Sequence, residues 1–522
     1  MKYFLKRLLY GLFSVVVVVA VVMVLIYSCL DRNKVFAQDA LYQKQANNTK
    51  EVYRYQKWEE YGYLDYVTYE DYVNDLAKAG EITAEAKEEI AKLGRKADKD
   101  SEIVSEYVKK FKETYTAKGY TVKRLDAKVN GKKLKNGGRQ QYFAYKDLPL
   151  YHRLFTYFGG LFSVDNIHYV QEDIEDRGLT FTLYDPVYGG KKLSPAIIGN
   201  GTKHKYLLYM DGNFPFIHQN LLEVNLGLSY SVNTGVDVFD TMTNTQGSYV
   251  MSTMTFPTGL VEESADNLHS ATYTAGSLES NDMLKARFTD DYTQVTLNKN
   301  ALSKIGYSFS IGIIATILAY LLGLPLGVLM ARKKDKLVDK LGTIYIIFII
   351  AVPSLAYIFL FKAIGGSVFG LPTTFNVDQM SVAMYVLPVI SLALPSVANL
   401  MKWMRRYMID QSNSDYVKFA RSGGLTEGEI FSKHIMKNAA IPIIHGIPAS
   451  VLGALTGAII TERVYVVPGA GNLLTTAINQ FDNGVIVGVT LFYALLSVVS
   501  IILGDILMSM VDPRISFSTK DR

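Results

Sequence analysis

The sequence carries little that could make or break a covalent bond. Its seven histidines are scattered, none at ligand spacing from another, and a single cysteine, Cys29, excludes a disulfide framework and cysteine-based zinc or iron–sulfur sites. There is no G-x-x-x-x-G-K-[ST] phosphate loop, no H-E-x-x-H and no G-x-S-x-G; Gly227-Leu228-Ser229-Tyr230-Ser231 lacks the final glycine. No catalytic constellation emerges, so an enzyme is not expected. Two features remain. Asp505 is an acid within an apolar run, a functional candidate by default, for which snorkelling or a helix–helix hydrogen bond is at least as good an account. The second is the polar stretch 402–439, with seven basic and four acidic residues between two apolar runs. Asp415 to Phe431 reads as a helix, a break at Gly423-Gly424, and a short amphipathic helix capped by Thr426 with Glu427 and Glu429 in its first turn. Leu425, Ile430 and Phe431 are apolar and poorly explained by solvent. A short projecting helix of this kind suits a groove on a soluble partner; an interfacial helix lying on membrane lipid fits equally well.

The elements that position these residues are membrane spans. The chain has 522 residues, 49% apolar and 20% charged, with a net charge of +5. Mean hydropathy is +0.12, too high for an ordinary soluble protein and too low for a chain wholly in lipid. The weak positive balance does not suggest nucleic acid. Six runs approach the roughly 20 apolar residues a span requires: Leu8–Leu30, Tyr307–Met330, Leu341–Phe361, Val382–Met401, Ala440–Thr461 and Val485–Met510. Lys2, Lys6 and Arg7 precede the first, which makes the N-terminus cytosolic. Alternation then places 331–340, 402–439 and the C-terminus inside, and each carries net positive charge. Ile26-Tyr27-Ser28-Cys29 is loosely lipobox-like, but Tyr27 fits that motif badly and five further spans would be unusual in a lipoprotein, so the first span is expected to remain uncleaved.

The expected organisation is 1–30 for the cytosolic end and first span, 31–300 for an extracellular domain, and 301–522 for a five-helix core with the cytosolic loop 402–439. A segment as long as 31–300 must have its own fold. Its first part, 35–118, reads as helical, with Glu81–Ile90 stopping at Gly94 and Ile103–Lys118 at Gly119. Its second part, 119–300, reads as strand-rich. Tyr120–Val129 followed by Asn130-Gly131 is a hairpin signal; Phe181–Tyr184, Tyr206–Tyr209 and Ser248–Phe256 continue the pattern, and Lys128–Arg139 reads as a solvated hairpin. The many tyrosines suit either a half-buried core or a partner-binding surface.

The block Asp415-Tyr416-Val417…Ala420-Arg421…Gly424-Leu425, followed by His434…Asn438 and Ile441-Pro442, resembles the cytoplasmic coupling loop of ABC importer permeases, in the oligopeptide/dipeptide variant. The general importer pattern begins Glu-Ala-Ala; Lys418, Phe419 and Ala420 stand there, so only the last matches. The resemblance continues in Leu226-Gly227-Leu228-Ser229-Tyr230, Leu322–Val328, Leu387-Pro388 to Leu394-Pro395, Glu462–Tyr465, Pro468-Gly469-Ala470-Gly471, Asp505 and Asp512-Pro513-Arg514. It covers 1–30 and most of 220–522, and is greatest to the first permease subunit of oligopeptide importers, the OppB/AmiC type of Gram-positive bacteria. The insertion at about 35–220 matches no motif.

What the resemblance implies is an α-helical polytopic membrane protein of the type I ABC importer permease fold. It would have six transmembrane helices and a large extracellular α+β insertion between the first two. It implies half of a pathway for oligopeptides, shared with a second homologous permease subunit, two cytosolic ABC ATPase subunits and an extracellular peptide-binding lipoprotein. ATP and Mg would be bound by the ATPases, leaving this chain without cofactor or metal. The coupling residues would be Phe419, Ala420, Gly424, Leu425, Glu427, Phe431, His434 and Asn438. Glu462, Pro468, Gly469, Gly471 and Asp505 would have structural or gating roles, and Pro442 and Pro448 are either kinks or packing features. Two alternatives stay open: a regulator relaying a cytosolic ATPase signal to extracellular cell-wall enzymes, and an importer whose cargo is nickel, glutathione or a peptide pheromone.

Overall fold

The computed structural model describes residues 2–45, 47–94, 97–125, 141–164, 179–184, 191, 193, 196–199, 206–209, 222–256, 258–272, 281–288, 293–456 and 458–511. The Lys128–Arg139 hairpin and Asp512-Pro513-Arg514 lie outside them. Among the described residues, five helices are long and apolar enough to cross a membrane, or six if one bent pair counts as a single span. The chain is thus a polytopic helical membrane protein.

Helix α1 (Lys2–Cys29) buries Val15, Val19, Met23 and Ile26 on one stripe and leaves Val21, Val24 and Leu25 exposed. An inserted segment follows. In it, α2 (Asn47–Glu60) leads into β1 (Leu64–Thr68); α3 (Tyr69–Lys78), α4 (Ala84–Ile90) and α5 (Glu102–Ala117) precede β2 (Thr121–Leu125) and β3 (Gln141–Asp147). The helix starts are written locally: Thr68 forms a capping box with Asp71, and Thr83 and Ser101 cap α4 and α5. The three strands form one antiparallel sheet in the order β1-β3-β2. This corrects the expected division into a helical 35–118 and a strand-rich 119–300. Strand β1 lies within the first part and pairs with β3 in the second, while α6 (Leu150–Gly160) is a helix within the second. A strand-rich reading of 119–300 passed over α6, although its Leu150, Tyr151, Leu154, Phe155, Tyr157 and Phe158 lie on one side and His152, Arg153 and Thr156 on the other.

Tyr55, Tyr61, Tyr63, Tyr66 and Tyr69 are buried, grouped with Phe36, Trp58, Phe111 and Phe143. Here the tyrosines are core, and burial pushes the Tyr61 and Tyr69 phenols well above their usual range. Further along, Leu179–Thr182, Ala196–Gly199, Tyr206–Tyr209, Asp266–Thr272 and Thr293–Leu297 form a five-stranded antiparallel sheet.

The membrane core begins with α7 (Lys304–Arg332). It is followed by α8 (Leu337–Ala351) and α9 (Ser354–Phe369), then α10 (Ala383–Ser412). The expected straight span Leu341–Phe361 is instead α8 and α9, bent by 109° at Val352-Pro353. Proline lacks the N–H that the helix needs and drives the preceding residue to extended backbone, here Val352 at ψ 129°. Lys362, beyond the bend, is satisfied by donating to the Val464 carbonyl at 2.6 Å. Helix α10 continues through residue 412, so the first quarter of the expected 402–439 loop is helix. The expected span Ala440–Thr461 is part of an interrupted helical stretch, Glu427–Tyr465, which includes α12 (Lys437–His445), α13 (Ile447–Thr456) and α14 (Ile459–Tyr465) after a short helix α11 (Asp415–Ser422). Pro442 sits inside α12, and the interruption falls at Gly446, two residues before Pro448. Helices α15 (Ala470–Asn479) and α16 (Asn483–Val511) complete the bundle.

Helices α7 and α10 cross at glycines. A Cβ at Gly323 would lie 2.8 Å from Leu400 Cβ, and one at Gly327 2.9 Å from Met404 Cβ. At Gly312 the neighbour is Ala454 of α13, at 2.7 Å. Small residues of this spacing let backbones approach where lipid supplies no hydrophobic drive between helices.

The inserted segment is tied to the bundle through Asp482, which is fully buried. Its carboxylate accepts from the backbone N–H of Tyr230, Ser231 and Val232, each at 2.9 Å, and from the Ser229 hydroxyl at 2.7 Å. Asn483 Nδ2 donates to the Tyr63 hydroxyl at 2.8 Å. Gly484 is required beside it, since a Cβ there would meet the Leu228 carbonyl at 1.8 Å. The short helix Val238–Thr243 packs against both α7 and α16. Replacing Asp482 with Ala leaves four backbone donors, those of Tyr230, Ser231, Val232 and Val485, without this acceptor, at about 1–3 kcal/mol per buried group. Hydrogen exchange at 229–232 is expected to accelerate in Asp482→Ala and less in Asp482→Asn, with α7 amides unchanged; equal protection in all three proteins would show that the carboxylate is not the tie.

Candidate functional site

The projecting end of the bundle is built by α11 and the turn after it. Gly424 has φ +85°, a conformation that glycine adopts without strain. Leu425 N–H donates to the Ala420 carbonyl at 3.3 Å and Gly424 N–H to the Arg421 carbonyl at 3.2 Å, the paired bonds of a Schellman stop. The next helix starts two residues later with a capping box, in which Glu429 N–H donates to Thr426 Oγ1 and Thr426 N–H to Glu429 Oε2. Arg421 bridges the turn to Glu427, with Nε–Oε1 at 2.5 Å and Nη2–Oε2 at 3.1 Å.

The residues singled out by sequence divide into two groups. Phe419 is 81% exposed, and Gly424, Leu425 and Glu427 are exposed with it. Ala420 and Phe431 instead pack against a buried cluster of Met404, Met408, Val417, Ile430 and Ile435. His434 and Asn438 are half-buried. The apolar Ile430 and Phe431, unexplained by solvent, are therefore anchors onto α10; Phe431 also lies under the Arg332 guanidinium, 5.8 Å from its ring centre. Of these apolar residues only Leu425, together with Phe419, is left facing outward.

Three parts of this base went unnoticed in the sequence. Met404 and Met408, one turn apart, are its floor. Asp339, buried, takes a two-pronged ion pair from Arg405, at 2.5 Å from Nε to Oδ1 and 2.7 Å from Nη2 to Oδ2, and so locks α8 to α10. Between Ile430 and Met436 the chain is wound as a π-helix, a geometry frequent at functional sites. An i, i+4 methionine pair was the available signal for the floor; the other two have none in one sequence.

Higher in the bundle, the Glu462 carboxylate is buried without a cation among the described residues. It accepts from Ser308 Oγ at 2.7 Å, Ala458 N–H at 3.0 Å and Asn472 N–H at 3.0 Å, while Ser308 Oγ accepts from Ala470 N–H at 2.8 Å. This explains the glycines after Pro468. A Cβ at Gly469 would meet the Glu462 carboxylate at 2.4 Å, and one at Gly471 would lie 3.0 Å from Ile459 N. The set knots α7, α14 and α15 together. Asp505, also buried, pairs with Arg7 Nε at 2.6 Å and joins α16 to α1.

Between α7, α10 and α13 lies a cavity of about 240 Å³. Ser308, Thr316, Tyr320, Ser396, Asn399 and Ser450 supply its polar groups, alanine, glycine and leucine the rest, and no lining residue is charged. Among the described residues no cluster of His, Cys, Asp or Glu forms a metal site.

A family model described as a binding-protein-dependent transport system inner membrane component matches residues 323–517. The chain is 33% identical, over 529 aligned residues and 99% of both chains, to the oligopeptide transport system permease protein AmiC of Streptococcus pneumoniae. It is 30% identical to the dipeptide transport system permease protein DppB of Lactococcus lactis, over 43% of this chain and 73% of that one. To the oligopeptide transport system permease protein AppB of Bacillus subtilis it is 31% identical, over 39% and 67%. The AmiC likeness extends through the inserted segment; the other two cover less than half of this chain. A projecting turn braced on a membrane bundle and an uncharged cavity behind it are what a permease requires, and the chain belongs to the ABC importer permeases of the oligopeptide/dipeptide branch.

Proposed function

We propose that this chain forms half of the translocation pathway of an oligopeptide importer and receives the ATPase stroke through the turn centred on Gly424. The observation that carries the reading is Phe419: an exposed aromatic, with Leu425 beside it, on a segment whose Val417, Ala420, Ile430, Phe431 and Ile435 pack into the cluster on α10. Such an arrangement gives a partner groove two apolar anchors and passes a push on them directly to a membrane helix. The partner is a pair of cytosolic ATPases that bind ATP and Mg, since this chain has no phosphate loop. Closure of that pair moves the docked turn and tips the spans, which requires the turn to bind differently in the two states. A second, similar permease completes the pathway, and an extracellular lipoprotein delivers the peptide.

The same reading takes α8 and α9 as one bent span, giving six spans with both termini cytosolic, and the inserted segment 31–300 extracellular. Basic loops at 331–340 and 402–439 support that orientation. The insertion docks the lipoprotein. The uncharged cavity suits a peptide backbone passing with side chains of either sign, because hydroxyl and amide groups bind amides without favouring a charge. The signalling-relay alternative has no observation in its favour.

Gly424→Val forces a β-branched residue into a left-handed conformation at about 1–3 kcal/mol. The space around it is open, so the bundle itself is undisturbed. Peptide import is expected to fall at least about tenfold while the assembled complex still hydrolyses ATP, and Gly424→Asn, which tolerates that conformation, is expected to recover part of it. Normal import by Gly424→Val would overturn the role of the turn. Phe419→Ala is expected to weaken co-purification of the ATPases in mild detergent; undiminished recovery would remove Phe419 from the contact. Ser396→Trp, which fills the cavity, is expected to abolish import without loss of assembly, and full import by that variant would place the peptide elsewhere.

A further inference from the structure

Helix α6 has the sequence Leu-Tyr-His-Arg-Leu-Phe-Thr-Tyr-Phe-Gly-Gly. Leu154, Tyr157 and Phe158 pack against the buried stripe of α1 and the start of α16. Tyr151 and Phe155, one turn apart, point away from that contact and are 66% and 77% exposed. A helix facing water places charged or polar groups on such an edge; this one presents two aromatic rings. Phe162, just beyond the helix, is exposed as well.

The depth of α6 follows from its neighbours. The Arg153 guanidinium lies 5.1 Å from the ring of Tyr27, two residues before the end of α1. Arg153, Thr156 and Tyr157 share a cavity of about 370 Å³ with Tyr27 and Met23 of α1. Helix α1 has 28 residues, about 42 Å at 1.5 Å per residue, which matches a bilayer of about 40–45 Å with its headgroups. Met23 lies six residues inside the end at Cys29, about 9 Å of rise, close to where acyl chains give way to headgroups. Helix α6 is therefore alongside the headgroup layer, and its aromatics Tyr151 and Phe155 are uncovered, as are Val21, Val24 and Leu25 of α1. Arg153 gives Nη2 to the Tyr63 carbonyl at 2.8 Å, which holds this face of α6 against the protein.

We propose that α6 is an in-plane membrane anchor, with Tyr151 and Phe155 seated in the bilayer at the headgroup–acyl boundary. Aromatic rings are favoured at that boundary. The occupant of this face is lipid, and the inserted segment thereby rests on the membrane as well as on the bundle. The inference does not depend on which cargo the importer takes.

The chain's single cysteine makes the test direct. A nitroxide is attached at Phe155→Cys in a Cys29→Ser background, with the protein co-expressed with its transporter partners and reconstituted in lipid nanodiscs; Tyr151→Cys is a second site, and Lys109→Cys on exposed α5 the aqueous reference. Collision with oxygen relative to a water-soluble nickel chelate is expected to be at least about threefold higher at Phe155 and Tyr151 than at Lys109, as for side chains in the bilayer interface. A ratio equal to that at Lys109 would mean that the face is open to water. An immobilised label shielded from both reagents would mean that a protein partner covers it, and either result overturns the anchor.

Discussion

At Gly323 and Gly327 the backbone of α7 lies so near α10 that one added methyl would strike Leu400 or Met404. Within lipid this closeness, with the dispersion contacts it allows, is what holds two helices together. The same stretch of α10 carries three further contacts. Met404 and Met408 receive Ile430 and Phe431 from the coupling segment, Arg405 holds Asp339 of α8, and Ser396 and Asn399 face the cavity. A force applied at the turn reaches the cavity wall along one helix, without passing through a loop. The glycine crossing is what keeps that helix from sliding or rolling on its neighbour.

Four buried acids, Asp339, Glu462, Asp482 and Asp505, tie segments that are distant in the chain. A carboxylate removed from water is costly unless its oxygens are satisfied, and this protein uses two solutions. Asp339 and Asp505 each take an arginine. Glu462 and Asp482 take backbone amides and a serine hydroxyl, with no cation against either among the described residues. The second solution specifies loop geometry closely, because several amides must converge on one point. It accounts for glycines at 469, 471 and 484, whose neighbours leave no room for a side chain.

Much of this was legible in the sequence because it was written in periods and punctuation. The apolar runs located the long helices, and Gly424 and Thr426 marked the turn and cap that the backbone adopts. The Glu462 and Pro468–Gly471 elements stood out only through a family resemblance; their reason, a shared carboxylate, is three-dimensional. Other features left no local trace. An apolar count sees Leu341–Phe361 as continuous, and only Pro353 hints at the bend. Asp339 and Arg405 counted as loop charge, although they neutralise each other. Asp482 carries no local signal of its role, since its partners lie some 250 positions earlier in the chain. Helix α6 carries an ordinary amphipathic pattern, an apolar side from Leu150 to Phe158 and a polar edge of His152, Arg153 and Thr156, but it is short and surrounded by strand signals.

The wedge formed by Val238–Thr243 bears on how the bundle can deform. Its Val238 and Met242 side chains are fully enclosed, it packs on both α7 and α16, and Asp482 fastens the preceding turn, 229–232, to the same corner. Two helices pinned at one corner can part only by moving at the other, and there each is already seated. A Cβ at Gly323 or Gly327 of α7 would strike Leu400 or Met404 of α10, and one at Gly504 of α16 would lie 2.7 Å from the His445 carbonyl of α12. Any spreading of the bundle must therefore carry α10 and α12 along with α7 and α16.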